Sequence, residues 1–151
     1  MTTTRDASAW HLVGLVAPVA ILSGNLAGGA WTLSGVVLIL LVYPVLHVVS
    51  GTGRPALVTH TSRSLLAGLP TIHVILQGCV FATLIWRVQL DGYAWTSWTA
   101  ALSSGLNTGV SAIVVAHEMG HSRPLTFRWW LARLSLLTAM YLHFTLEHNR
   151  Q

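Results

Sequence analysis

The stretch that decides the fold is Trp31-Thr-Leu-Ser-Gly-Val-Val-Leu-Ile-Leu-Leu-Val-Tyr-Pro-Val-Leu-His47-Val-Val49. It holds no Asp, Glu, Lys or Arg, and its length is roughly the twenty residues needed to cross the hydrocarbon of a bilayer. Three more apolar runs frame it. The first, near 10–23, is the weakest, because Pro18 interrupts it and Gly-Asn-Leu-Ala-Gly-Gly follows. The third runs near 65–87 and includes Pro70, His73, Gln77 and Cys79. The fourth runs near 95–121 and is longer than a bilayer needs, so its last turns are expected to project beyond the hydrocarbon. These runs predict an all-α, multi-pass transmembrane helical bundle forming one membrane domain over residues 1–151.

Composition agrees. Hydrophobic residues make up 53% of the 151 and charged residues 8%, against about 25% charged in an ordinary globular domain. That is too little charge to cover a soluble surface. The net charge of +4 comes entirely from Arg, spaced singly along the chain, whereas a nucleic-acid reader would show a basic patch or stripe; no nucleic-acid partner is expected. Seven Trp and three Tyr suit aromatic anchoring at a membrane interface. Cys79 stands alone, so no intrachain disulfide forms, and its apolar setting reads as a small buried hydrophobe. Only Arg5 precedes the first run as a cation, and no small-residue cleavage site appears before Gly24. The first run is therefore expected to be a retained helix and not a signal peptide.

Arginine placement suggests an orientation. Arg54 and Arg63 flank the connection after the second run, and Arg123 and Arg128 follow the fourth. Both sets fall on one side, expected to be cytoplasmic. Arg87 and Asp91, expected in a short turn, oppose this only weakly. The segment 125–147 is ambiguous, since its length would span but it carries Arg128, Arg133, His143 and an early Trp129-Trp130 pair. It is expected to be an interfacial or re-entrant helix near the C-terminus. A straight spanning helix there would carry His148 about 30 Å from where the segment began.

The chemistry concentrates at the end. His117-Glu-Met-Gly-His121 spaces two imidazoles i, i+4, on one helical face and about one turn apart. Glu118 points roughly 100° away from His117. This H-E-x-x-H spacing is also the zinc metalloprotease signature, with the Glu as general base, and Glu147 would then supply a third zinc ligand. Two interfacial histidines without a metal are the plainer alternative, although ionisable residues at membrane depth are functional by default.

Taken in order, His117-Glu-Met-Gly-His121, Arg128-Trp-Trp-Leu-Ala-Arg133, Tyr141-Leu-His-Phe144 and Glu147-His-Asn-Arg150 resemble the alkane 1-monooxygenase family. Its members are integral-membrane, non-haem di-iron hydroxylases related to the fatty-acid desaturases. The resemblance covers about a quarter of the chain, and ahead of it only the hydrophobic spans agree. It implies iron ligands at His117, His121 and His148. His143 lies four before Glu147 on one helical face, so it is expected either to support the site by hydrogen bonding or to pack at the interface, and Glu147 and Glu118 are expected in supporting roles. It also implies hydroxylation of alkanes or similar lipophilic chains with O₂, with electrons from a rubredoxin- or ferredoxin-type donor. The setting it implies is the inner (plasma) membrane of a bacterium, with lipid around the spans and the histidine boxes on the cytoplasmic side. The family's next residues, Gly-His-His, do not follow; Gln151 stands there instead. Three imidazoles cannot satisfy two irons, so the chain is expected to be an incomplete N-terminal part or a non-catalytic remnant. A lipid desaturase of the same superfamily and a membrane zinc metalloprotease are the other readings.

Inside the spans, His73 and Gln77 lie one turn apart and are expected to hydrogen-bond between helices, or to line a channel. His47 and His60 are expected at the interface. Gly105 and Gly109 have the spacing that lets a neighbouring helix approach closely, with Asn107 between them needing a partner in that contact.

Overall fold

The computed structural model of the chain describes residues 11–50 and 63–142, and all the regular structure among them is helical. Helix α1 covers Val13–Ala27, α2 Gly29–Val49, α3 Arg63–Asp91, α4 Trp95–Gly120 and α5 Phe127–Thr138. Helix α2, the Ala67–Asp91 part of α3, and α4 are each long and apolar enough to cross a membrane, while α1 is shorter. The protein is thus an all-α, multi-pass integral membrane protein.

Each helix follows from local sequence. Residues Val13–Leu15 wind as a tight 3₁₀ turn before the α-helical part begins at Val16, so Pro18 falls in its first turn. There its missing N–H costs little. Helix α1 ends at Gly28, whose φ of 76° and successor Gly29 at 55° turn the chain straight into α2. A side chain on Gly28 would also meet the Arg87 guanidinium at 2.7–2.9 Å. The two helices then close on each other through Gly24, where a Cβ would collide with the Trp31 carbonyl oxygen, and Gly35, where it would meet Ile21 and Ser103 at 2.7 Å. Ser34 Oγ donates to the Ala20 carbonyl at 3.0 Å across the same contact.

Helix α3 is longer than the expected 65–87 and runs unbroken through Pro70, as spans tolerate when neighbours satisfy the backbone. Its extra turn places Arg87 and Asp91 on one helix face as an i, i+4 pair at 3.4 Å, and not in a turn as expected. Arg87 is buried: its Nε donates to the Asn25 carbonyl at 2.7 Å and its Nη2 to the Leu26 carbonyl at 2.8 Å. It thereby satisfies carbonyls that the end of α1 leaves without helical partners.

The interior is more polar than the rim. Buried positions include Asn25, Thr32, Gln77, Ser103, Ser104 and Asn107, whereas Trp31, Leu40, Leu41, Ile75, Trp98 and Val114 face outward. Association in lipid relies on such close packing and interhelical hydrogen bonds, because the tails are as apolar as any core. The hydroxyls of Thr32 and Thr99 pair at 2.6 Å, and Ser103 Oγ donates to the Thr32 carbonyl at 2.6 Å. Gln77 Nε2 donates to Thr108 Oγ1 at 2.7 Å, and Asn107 Nδ2 to Gln77 Oε1 at 2.8 Å.

Three expectations change here. Cys79 is exposed on the outer face and is not buried. Gly105 and Gly109 have nothing within 4 Å of their Cβ positions, so among the described residues no helix uses that notch, and Asn107 finds its partner on another face. The last helix, expected over 125–147, stops at Thr138. A left-handed Met140 (φ 53°) closes it, with the Tyr141 N–H returning to the Leu136 carbonyl at 3.0 Å.

Helix α5 does not leave the bundle. It begins beside the end of α4, after Leu125 turns the chain at φ 65° and Thr126 Oγ1 accepts from the Trp129 N–H. It then packs back along α4 and α3, burying Ala132 with Met119 and Val74. Ser135 Oγ donates to the Ala112 carbonyl at 3.1 Å, and Thr138–Met140 share a cavity wall with Gly105, Thr108 and Gly109. At about 18 Å long, it follows α4 for roughly half a span, in keeping with the re-entrant alternative.

Candidate metal centre

Helix α4 carries the first histidine box to the end of a spanning rod. Within it, Thr108–Ala112 form a widened turn with i→i+5 hydrogen bonding, and α2 has the same irregularity at Leu38–Val42. Such turns recur at functional sites in membrane and soluble helices alike. From Ile113 ordinary winding resumes, with Ala116 and Met119 facing the bundle. His117 is consequently half-buried and His121 exposed, both at the rim.

The two imidazoles converge. Their Nε2 atoms stand 3.4 Å apart, with ring centroids at 5.0 Å and planes crossing at 82°. Two imidazole nitrogens at that separation can each lie about 2.1 Å from a single ion between them. Neutral imidazoles are suitable donors for iron, copper, nickel and zinc. The pair fits a metal: the two rings share one face and present nitrogen donors to each other. Among the described residues no three His, Cys, Asp or Glu side chains come together. Glu118 is exposed, turned away from the pair.

His143, Glu147 and His148 lie outside the described residues, as does His60. The structure thus brings together two of the three expected ligands. His47 is exposed near the end of α2, as expected for an interfacial residue.

Beside the box, α5 contributes Trp129 and Arg133. The Arg133 guanidinium carbon lies 3.9 Å from the Trp129 ring centroid, a distance at which the ring face attracts the cation. Below the box, His73 on α3 meets Ser111 on α4, with Nδ1 and Oγ 3.0 Å apart. Both line a cavity of about 320 Å³ with Gly14, Ala17, Tyr43 and Asn107. Ser111 is six residues before His117, about 9 Å nearer the bundle centre along α4. Sequence reasoning flagged His73 but missed Ser111. The widened turn at Thr108–Ala112 shifts the helical phase there, so regular 3.6-residue counting gives no signal for it.

No family model matches the chain, and no solved structure matches it. Among characterised proteins, it is 38% identical over 74 residues to an alkane 1-monooxygenase of Ectopseudomonas oleovorans, covering 46% of this chain and 18% of that protein. It is 36% identical over 74 residues to the alkane 1-monooxygenase of Pseudomonas putida, with the same coverage. It is also 44% identical over 50 residues to alkane 1-monooxygenase 1 of Alcanivorax borkumensis, covering 33% and 12%. The matched stretch is thus less than a fifth of each relative's length. Over nearly half of its own length, the chain is similar in sequence to alkane 1-monooxygenases.

Proposed function

We propose that the chain forms the opening part of a membrane non-haem di-iron monooxygenase that hydroxylates alkanes or similar lipophilic chains. The observation that carries this reading is the His117–His121 pair, its Nε2 atoms 3.4 Å apart at the rim of an apolar bundle. The alkane 1-monooxygenase relatives favour it over a desaturase or a zinc metalloprotease using the same spacing.

In this reading His117, His121 and His148 hold the metal. His143 and Glu147 orient those rings by hydrogen bonding, and Glu118 supports the site from the neighbouring face. Bound iron supplies the capacity to bind and activate O₂. Two irons need more ligands than these three imidazoles. The outward apolar faces of α2, α3 and α4 let a lipophilic substrate approach through lipid without crossing water. A rubredoxin- or ferredoxin-type protein delivers electrons. In the same reading the membrane is a bacterial inner membrane and the boxes face the cytoplasm, an orientation that Arg54, Arg63, Arg123 and Arg128 support under the positive-inside rule.

The test is turnover. The full-length product of the gene that encodes this stretch, in lipid, is loaded with Fe(II), supplied with NADH, a reductase and rubredoxin, and given n-octane. Octan-1-ol is expected, and is lost in His117→Ala and His121→Ala. Peptide hydrolysis that survives iron removal, needs zinc and disappears in Glu118→Gln would replace this reading by the protease.

A further inference from the structure

We propose that the first turn of α5, where the Arg133 guanidinium lies over Trp129, binds the phosphate of an anionic phospholipid. The site needs only the membrane bundle, because the Arg128–Arg133 segment has no part in the proposed metal centre. Charge is the starting point. Between Glu118 and Glu147 the sequence carries Arg123, Arg128 and Arg133 and no Asp or Glu.

Arg133 starts from an unfavourable depth. Its Cα lies six residues beyond Phe127, about 9 Å along α5 from the rim. Its side of the helix faces outward: Leu137, one turn on, and Phe127, Trp130 and Leu134 on the adjoining stripe are all more than half exposed. A cation among such lipid-facing groups is strongly disfavoured, and long basic side chains relieve this by reaching back to the interface. Helical side chains lean toward the N-terminus, which here is the rim. The Arg133 guanidinium carbon accordingly stands 3.9 Å from the centroid of the Trp129 ring, one turn nearer the rim. Trp129 packs edge-to-face on Trp130 at 4.8 Å, and tryptophans of this kind anchor at headgroup level.

That reach ends without an anion. Among the described residues the one ion pair is Arg87–Asp91, at the opposite end of the bundle. The Arg133 Nε is covered and has no partner, which leaves the two terminal nitrogens of this half-buried side chain for a ligand. Their planar fork matches two oxygens of a phosphate. A phospholipid brings its phosphate to this depth and lays its chains over the exposed face beside it. A net negative headgroup is required, since a choline cation would be repelled by a rim whose charges are all Arg. An acidic protein arriving from water would meet the exposed Arg123 and Arg128, and not a guanidinium resting on the lipid-facing side of α5.

Competition between lipids tests it. The chain is placed in nanodiscs of phosphatidylcholine with a minor share of phosphatidylglycerol, and the lipids it retains are counted by native mass spectrometry. Phosphatidylglycerol is expected to be retained well above its share. Arg133→Gln should lower that enrichment about fivefold, the effect of one cation beside an anionic headgroup. Arg123→Gln, in the exposed turn before α5, should lower it by clearly less. Tryptophan emission and melting check that both variants fold. Retention of the two lipids in proportion to their shares by the unaltered chain overturns the proposal without recourse to any variant. Equal losses from the two variants overturn it too, by reducing the site to diffuse surface charge. Binding of an acidic electron-donor protein that depends on Arg133, with lipid enrichment untouched by Arg133→Gln, would put that protein in the lipid's place.

Discussion

Arg87 Nε donates to the carbonyl oxygen of Asn25 at 2.7 Å, joining residues 62 apart in sequence. With Nη2 on Leu26 and Asp91 beside Nη1, the guanidinium serves as the C-terminal cap of α1. Arg87→Met keeps much of the stem and removes every donor. Two carbonyls are left without partners, and a loss of about 3 kcal/mol is expected. Unfolding in mixed micelles, followed by tryptophan emission, measures it; a variant as stable as the parent would deny the cap.

Two glycines should respond in opposite ways. Gly24→Ala drives a methyl group into the Trp31 carbonyl, which belongs to the backbone and cannot swing aside. A cost of about 1–3 kcal/mol is expected, as for overpacking. Gly105→Ala meets nothing within 4 Å and should be neutral or stabilising, by up to about 1 kcal/mol from helix propensity. The same unfolding assay compares them.

The histidine pair predicts metal uptake separable from folding. His117→Ala or His121→Ala should weaken Fe(II) or Co(II) binding at least tenfold, since loss of a ligand's mere hydrogen-bonding partner already costs 10–100-fold. Both rings are at the rim, so the apparent melting temperature should hold. Equilibrium dialysis with elemental analysis reads the first, and differential scanning fluorimetry the second. Undiminished metal content would remove the pair from the site.

The course of α5 can be checked by cysteine accessibility in a Cys79→Ala background. Ser122→Cys should react with a membrane-impermeant maleimide from one side of sealed vesicles, and Tyr93→Cys from the other. Leu137→Cys, on the outward face of α5, should react from neither. Rapid labelling at 137 would place that helix in water and refute the re-entrant path.

Much of this architecture was readable in the sequence, for a physical reason. Bilayer thickness imposes a length on each apolar run, and the runs at 31–50 and 95–121 match α2 and α4 within a residue or two. The polar rungs His73 and Gln77 announced interhelical bonding, because an amide in lipid must find a partner. What could not be read was which partner. Ser111 and Thr108 depend on how α4 is wound, and the widened turn at 108–112 shifts the phase that 3.6-residue counting assumes. Arg87 was misread as a turn residue because charge suggests water, whereas its carbonyl partners at Asn25 and Leu26 are visible only in three dimensions. The site itself was half legible: i, i+4 spacing guarantees that His117 and His121 meet, and nothing local guarantees what joins them.

The loosened winding at Thr108–Ala112 also bears on how this chain can tolerate change. A turn of that kind accommodates one residue more than regular α-winding needs. Deleting a single residue there should let the helix relax to regular pitch while the histidines keep their azimuth. The same deletion among Ile113–Ala116 would swing both rings about 100° around the rod. Loss of one residue is therefore harmless within Thr108–Ala112 and ruinous in the regular turn that follows it.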